Sequence, residues 1–129
     1  MKRVKIFIGK VDRTFSEKLK ELSSNVEIVM ESASLERIKE NANKEELLFL
    51  DRIPPRGFGY LKVKGVIVAS KYTRRKEFLA ARSGARGFIT SDITKPTLLD
   101  VIKHISSGEI WMSRLTIARV FEEYSRSCK

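Results

Sequence analysis

The arrangement of the apolar residues constrains this chain most. Short apolar runs rich in β-branched residues alternate with longer stretches whose apolar residues recur at helical spacing. A short apolar run between turn residues is typical of a buried strand, whereas recurrence every three or four residues is typical of one helix face. Strands that alternate with helices predict a parallel sheet covered on both faces. We predict strands over residues 4–8, 26–30, 47–50, 66–69 and 87–90.

Helix boundaries are marked by capping residues and by glycine or proline. The segment from Thr14 to Glu17 has the capping-box pattern and predicts the start of the first helix, and Ser34 predicts the start of the second. A further helix is expected over 73–83. The next has Pro96 in its first turn and ends at Gly108, and a last amphipathic helix follows residue 113. Its apolar stripe consists of Leu115, Ala118, Phe121 and Tyr124.

One connection departs from this regular alternation. Only fourteen residues separate Asp51 from the strand at Val66, and five of them are proline or glycine. A parallel crossover normally needs a dozen or more residues and a helix. We therefore expect the third helix to be shortened or missing, with Leu61 and Val63 covering the sheet there. The fold class predicted is α/β, a (βα)5 doubly wound, five-stranded parallel sheet of flavodoxin-like type.

Composition limits the classes of protein that this chain can represent. A length of 129 residues with 42% hydrophobic residues suits one domain with one core. The single cysteine, Cys128, excludes a disulfide framework and a cysteine-rich zinc site. The longest apolar run has only a few residues, whereas a membrane span needs about 20. We expect a cytoplasmic protein with no membrane association and no bound cofactor.

The net charge is the most unusual property of the composition. Lys and Arg total 26 against 16 acidic residues, which leaves a formal charge of +10. The basic residues concentrate in 1–20 and 71–86. Such clusters attract acidic protein surfaces or nucleic acid, and they also occur simply as solvated surface. No aromatic residues are interleaved in the manner of a nucleic-acid stacking groove, so direct nucleic-acid binding is not favoured.

Three segments resemble the receiver domains of NarL/LuxR-type response regulators. The segments are GARGFITSDITKPTLLDVIKHISSGEIWMSR at 84–114, LLFLD at 47–51 with Pro55 beyond it, and VIVAS at 66–70. The resemblance implies a receiver-like domain over 1–112, within two-component phosphorelay signal transduction. It also implies that residues 113–129 form a C-terminal helix leading to a DNA-binding domain absent from this sequence, as in transcription regulators.

Carried over residue by residue, the resemblance assigns Asp51 as the phosphoacceptor position. Ser70 and Phe88 match the switch hydroxyl and the switch aromatic residue of the family. Three positions depart from the family pattern. Lys10 and Val11 stand where the family has an acidic pair for Mg²⁺, and Ser91 stands where it has a lysine.

These departures predict an atypical receiver, or pseudo-receiver, that is not an enzyme and binds no Mg²⁺. We expect Lys10 to pair with Asp51 in the place of the metal, because an ammonium group competes for the same carboxylate. The alternative is a conventional Mg²⁺-dependent receiver that accepts a phosphoryl group on Asp51 and uses Asp12 as a metal ligand.

In the receiver family, signals commonly pass through the surface of the fourth helix, the fifth strand and the fifth helix. In this sequence the corresponding surface is basic and includes Arg74, Arg75, Lys76 and Lys95. We expect a protein partner or a homodimer to bind there. DNA contact is expected only through a C-terminal domain that is not present here.

Overall fold

The computed structural model describes residues 3–32 and 34–127. Five parallel strands form one sheet in the order β2-β1-β3-β4-β5. All five predicted strands are confirmed, and the fourth begins two residues before its predicted start. Every residue of the central strand β3 is buried, as expected for a strand covered on both faces. The strands are β1 Val4–Ile8, β2 Val26–Met30, β3 Leu47–Leu50, β4 Lys64–Ala69 and β5 Gly87–Thr90.

Helices cover both faces of this sheet. Side chains of α1 and α4 pack with one set of strand residues, while α2 and α3 pack with the opposite set. Alternate residues of β3 accordingly enter different core clusters, Phe49 on the first face and Leu48 on the second. The doubly wound α/β fold is thus confirmed. The helices are α1 Arg13–Lys20, α2 Leu35–Asn41, α3 Arg74–Arg82, α4 Lys95–Ser106 and α5 Arg114–Ser127.

Capping side chains begin three of the helices. The side-chain oxygens of Ser34, Thr73 and Thr94 accept hydrogen bonds from the backbone N–H groups three residues ahead. The capping box predicted at Thr14 is wrong, because Thr14 lies inside α1. The backbone carbonyl of Asp12 accepts a helical hydrogen bond at 3.0 Å from the N–H of Ser16, so the helix begins before the predicted cap.

The third crossover contains no α-helix, as predicted. Between β3 and β4 the chain forms only a short 3-10 turn, Gly59–Leu61. Leu61 and Val63 are buried against the sheet, and Phe58 joins them with only 2% of its surface exposed. A large aromatic ring thus supplies much of the cover that a regular helix would provide.

The C-terminal segment returns to the edge of the sheet. The backbone carbonyl of Trp111 accepts a hydrogen bond from the N–H of Phe88 at 3.1 Å, and its backbone N–H donates one to the carbonyl of Arg86 at 2.9 Å. Trp111 thus extends the sheet beyond β5. Helix α5 then packs against α3, and the Arg119 guanidinium lies 3.8 Å from the ring centroid of Phe78. Within the described ranges, no helix is long and apolar enough to cross a bilayer.

Candidate functional site

A cleft of about 580 Å³ opens at the carboxyl edge of the sheet, where the loops after β1, β3, β4 and β5 meet. Parallel sheets of this type bind their ligands at this edge. The cleft brings together most of the residues that the sequence singled out. The exceptions are Arg74, Arg75 and Lys95, which lie outside it. The predicted residues lining the cleft are Lys10, Val11, Asp12, Asp51, Ser70, Lys76, Phe88 and Ser91.

Asp51 follows β3, and its carboxylate is partly exposed at the floor of this cleft. Its backbone N–H donates to the carbonyl of Lys10 at 2.7 Å, which holds the two loops side by side. The predicted ion pair with Lys10 does not form. Instead, Arg52 Nε lies 3.0 Å from Asp51 Oδ1, and this carboxylate raises the pKa of the Arg52 guanidinium. Arg52 therefore supplies the cation beside Asp51 that was predicted to be Lys10.

A side chain at Gly9, the first residue of the loop after β1, would meet the end of the Leu50 side chain. A Cβ atom at Gly9 would lie 2.1 Å from Leu50 Cδ2, well inside van der Waals contact. A carboxylate at position 9 would therefore require Leu50 to move. The half-buried side chain of Val11 packs against the hydrophobic core. At the two positions where the resemblance implies an acidic pair, this chain has a lysine and a half-buried valine.

The Mg²⁺ ion that the resemblance implies would have to bind among the residues that line this cleft. Mg²⁺ prefers six oxygen ligands in a near-octahedral arrangement and usually binds one or two carboxylates. Asp12 and Asp51 both line the cleft, but Lys10, Arg52 and Lys76 line it as well. Across residues 3–32 and 34–127, no group of three or more His, Cys, Asp or Glu side chains could hold a metal ion. The three cations that line the cleft beside the two carboxylates therefore argue against Mg²⁺ there.

Lys18 is a residue of this region that the sequence analysis missed. Its ammonium, on α1, donates to the backbone carbonyls of Ser91 at 2.9 Å and Ile93 at 2.8 Å. These bonds hold the loop after β5 from the neighbouring helix α1. The resemblance instead implies a lysine within the loop itself. The sequence feature that could have identified Lys18 is its spacing. It lies three residues after the buried Phe15 and therefore at the margin of the buried helix face.

A chain of contacts leads from the cleft to the start of α5. The buried ring of Phe88 meets the ring of Tyr72 edge-on at 5.9 Å, and Tyr72 donates its hydroxyl to Glu77 Oε1 at 3.0 Å. The Glu77 carboxylate also accepts hydrogen bonds from the Ser113 N–H at 2.9 Å, the Ser113 hydroxyl at 2.7 Å and the Thr116 hydroxyl at 2.5 Å. Phe88 is thereby connected to the C-terminal helix.

Glu77 is the only acidic residue in the basic segment 71–86, and it is only 3% exposed. Burial by itself raises the pKa of this carboxyl, because the charged form loses hydration. The hydrogen bonds from Ser113, Thr116 and Tyr72 favour the charged form and together outweigh that effect, so the pKa lies below its ordinary value. Glu77 is therefore held as an anion beneath the first turn of α5.

The four basic residues predicted to form one surface are divided between two sides of the molecule. Arg74, Arg75 and Lys76 are exposed in the first turn of α3. Lys95 begins α4 on the opposite face of the sheet, where its ammonium lies 2.7 Å from Oε2 of Glu21, the C-terminal cap of α1. Between them the backbone of Trp111 pairs with the edge of β5. Part of the surface predicted for a partner is thus occupied by the chain itself.

Solved structures share this fold at low sequence identity. The signal receiver domain of the response regulator NarL from Mycobacterium tuberculosis superposes with a TM-score of 0.65 and 20% identity, over 84% of this chain and 100% of that one. A two-component response regulator of the LuxR family from Aurantimonas sp. SI85-9A1 gives 0.66 and 17%, over 96% and 99%. The isolated receiver domain of RcsB from Salmonella enterica serovar Typhimurium gives 0.60 and 10%, over 92% and 99%.

No protein-family model matches the sequence, and no curated protein matches it. The likeness to these structures covers 84% to 96% of this chain. The chain therefore has the fold of a response-regulator receiver domain.

Proposed function

We propose that this chain is a receiver-type signalling module that works without phosphorylation of Asp51 and acts through contacts with other proteins. It performs no catalytic reaction of its own in this proposal. Support comes from the receiver fold together with a cleft whose charged residues differ from those that phosphoryl transfer requires. The fold provides the signalling framework, while the cleft residues argue against the usual chemistry.

The observation that carries this proposal is the set of charges around Asp51. Phosphoryl transfer to a carboxylate depends on a metal that bridges the reacting oxygens and neutralises their developing charge. Here one oxygen of Asp51 already accepts a hydrogen bond from Arg52, and Lys10 lies where the metal ligands are expected. A metal would therefore have to displace a cation and would find few oxygen ligands.

The first prediction concerns phosphorylation itself. Incubation with acetyl phosphate and Mg²⁺ should leave the intact mass of the protein unchanged, because the cleft lacks the ligands that hold the metal. A Mg²⁺ titration should give no saturable signal. The phosphomimetic BeF3⁻, which was present with the RcsB receiver domain, should likewise fail to bind. Stoichiometric aspartyl phosphate on the unmodified protein would contradict the proposal.

A restored variant serves as the positive control for this prediction. The triple substitution Lys10→Asp, Val11→Asp and Ser91→Lys supplies the missing groups while leaving Gly9 in its tight position. This variant should gain phosphorylation that disappears again when Asp51→Asn is added. The same triple substitution with Asp51→Asn is the matched control for any change in stability, because it differs only at the acceptor.

The alternative, a Mg²⁺-dependent receiver that uses Asp51, has one observation in its favour. Asp12 lines the same cleft, and its carboxylate makes no capping hydrogen bond to α1. A rearrangement that brings Asp12 toward Asp51 would create a partial metal site. This alternative requires that Asp12→Asn and Asp51→Asn both abolish Mg²⁺ binding, whereas the proposal requires no binding in the wild type.

The nature of the partner follows from the exposed charges. Arg74, Arg75 and Lys76 have no ion-pair partner among the described residues. A basic patch of this kind favours association with an acidic protein surface. In this proposal DNA is contacted, and transcription regulated, only through a further domain attached beyond the C-terminal helix.

A further inference from the structure

Helix α5 carries a concentrated set of exposed apolar side chains. Leu115, Phe121 and Tyr124 are 63%, 70% and 69% exposed, and Ile117 is 38% exposed. The other large exposed apolar residues are distributed among separate elements, for example Val29 on β2 and Ile53 after β3. A grouped apolar surface on a protein with 33% charged residues is typical of an interaction site.

The orientation of this face is fixed by the opposite side of the helix. Thr116 is buried against Glu77, and Arg119 lies over the ring of Phe78. Glu123 forms an ion pair with Arg82 of α3. These contacts leave α5 one rotational setting. In it Ile117, Ala118 and Phe121 are directed away from α3. Leu115 and Tyr124 lie on the two flanks of this face. The apolar face is therefore a feature of the packed structure and not of a detached helix.

We infer that a second copy of this chain covers the α5 face, with the two helices antiparallel and crossing at Ala118. The occupant is indicated by the spacing of the residues that line a shallow apolar groove there. Arg114 lies four residues before Ala118, and Glu122 lies four residues after it. A two-fold axis at Ala118 places each Arg114 level with Glu122 of the other copy.

The apolar residues follow the same symmetry. Leu115 lies three residues before Ala118 and Phe121 three residues after it. Leu115 of one copy therefore lies level with Phe121 of the other copy. The small side chain of Ala118 lets the helices approach closely at the crossing. Neither Arg114 nor Glu122 has an ion-pair partner among the described residues, so both are available to the second copy.

Charge also distinguishes a second copy from other occupants. The whole chain carries +10, so most pairs of its surfaces repel each other. The groove is lined by one cation and one anion and is locally neutral, so self-association there avoids this repulsion. An acidic partner would find better complementarity at the first turn of α3, and nucleic acid would find no basic residues concentrated on the groove.

The size of the helix limits the strength of this dimer. A helix of 14 residues is about 21 Å long. Pairing of single helices of this length buries less than the roughly 1,200 Å² that stable complexes bury. We therefore expect a concentration-dependent dimer with a dissociation constant on the order of 10–100 µM.

Sedimentation velocity of the full chain between about 5 µM and about 500 µM tests this inference. Reductant excludes a disulfide through Cys128. The wild type should shift from monomer to dimer over this range. Phe121→Ser should raise the dissociation constant at least tenfold, about the effect of removing a central apolar anchor. Val29→Thr, at an exposed apolar residue on β2, is the matched control and should dimerise like the wild type.

A charge swap tests the antiparallel register. Glu122→Arg places two arginines level with each other on each side of the axis and should raise the dissociation constant about tenfold. The double variant Arg114→Glu with Glu122→Arg restores opposite charges and should return it to near the wild-type value. Rescue by the double variant is specific to self-pairing, since a different partner would carry its own charges.

The result that overturns the inference is a monomeric wild type at every concentration, which would assign the α5 face to another protein or to an attached domain. Failure of the double variant to restore the dimer would overturn the register and the assignment with it. Circular dichroism of each variant confirms that α5 remains folded. None of these measurements depends on Asp51, so they are independent of the proposal for the cleft.

Discussion

At the scale of single residues, Glu77 shows most clearly how burial and hydrogen bonding combine. A carboxylate that is 3% exposed would normally be neutral or paired with a cation. Here neutral donors from Tyr72, Ser113 and Thr116 stabilise its charge. Two of these donors belong to the beginning of α5, whose helix dipole also favours a nearby anion. One side chain therefore joins α3 to α5.

Replacement of Glu77 should destabilise the protein in a pH-dependent way. Glu77→Gln removes the charge while keeping the shape, and at neutral pH we expect a loss of about 1–3 kcal/mol in the free energy of unfolding. The pKa of Glu77 lies below its ordinary value of 4.5 in the folded protein. Its contribution is therefore fully present above pH 4.5 and is lost as the pH falls through the folded-state pKa.

Urea unfolding of the wild type and of Glu77→Gln at neutral pH and below pH 4.5 measures this effect. The difference between the two proteins should shrink at the lower pH. Glu17→Gln, at an exposed residue that pairs with Arg13, is the matched control and should differ little from the wild type. A Glu77→Gln difference that is equal at both pH values would show that the charge is not involved.

At the scale of elements, the third crossover replaces a helix by one aromatic ring. Phe58 fits against the sheet because β4 has a glycine where the ring lies. A Cβ atom at Gly65 would come within 2.2 Å of the Phe58 ring, whereas one at Gly59 would meet nothing within 4 Å. The crossover can therefore cover the sheet without a helix because a large ring, Phe58, packs against a residue without a side chain, Gly65.

The two glycines provide a direct comparison of this packing. Gly65→Ala should lower the free energy of unfolding by roughly 1–3 kcal/mol, because the added methyl group forces the Phe58 ring from its position. Gly59→Ala should change it by less than about 0.5 kcal/mol. Chemical denaturation of both variants measures the difference. Equal effects at the two positions would mean that the Phe58 contact does not limit the packing.

At the scale of the whole molecule, the net charge of +10 is spread over a small surface. The ion pairs described are exposed or partly exposed, and pairs of that kind each contribute little to stability. The excess of positive charge therefore repels itself across the surface and opposes folding. Added salt screens this repulsion, since the Debye length falls to about 3 Å at 1 M.

We expect the melting temperature to rise by a few degrees between about 20 mM and about 0.5 M NaCl. The variant Arg74→Gln, Arg75→Gln and Lys76→Gln removes three positive charges that have no described partner, and its salt dependence should be smaller. Differential scanning calorimetry at dilute protein concentration separates this effect from dimer formation. An identical salt dependence for the variant and the wild type would contradict the role of repulsion.

Much of the architecture was predictable because it depends on neighbouring residues. The apolar runs that became β1 to β5 carry their own periodicity, and the crowding of proline and glycine between β3 and β4 excludes a helix locally. Ser34 and Thr73 cap their helices through residues three positions away. The resemblance at 84–114 placed the cleft residues Phe88 and Ser91. These features needed little knowledge of the distant chain.

Other features depended on which distant segments meet. Lys18 binds carbonyls 73 and 75 residues further along the chain, and Glu77 binds residues 36 and 39 positions away. The stripe on α5 was predicted as amphipathic, but the side that packs on α3 is formed by residues such as Thr116, and the apolar stripe is exposed.

The sequence by itself therefore determined the strands, the type of sheet, the absent third helix and the positions of the cleft residues. Only the tertiary structure decided that Asp51 pairs with Arg52, that Lys18 holds the loop after β5, and that α5 presents its apolar side to solvent. The physical reason is that periodicity and capping act within a few residues. The partner of a charge and the buried side of a helix are instead set by packing between elements that are remote in the chain.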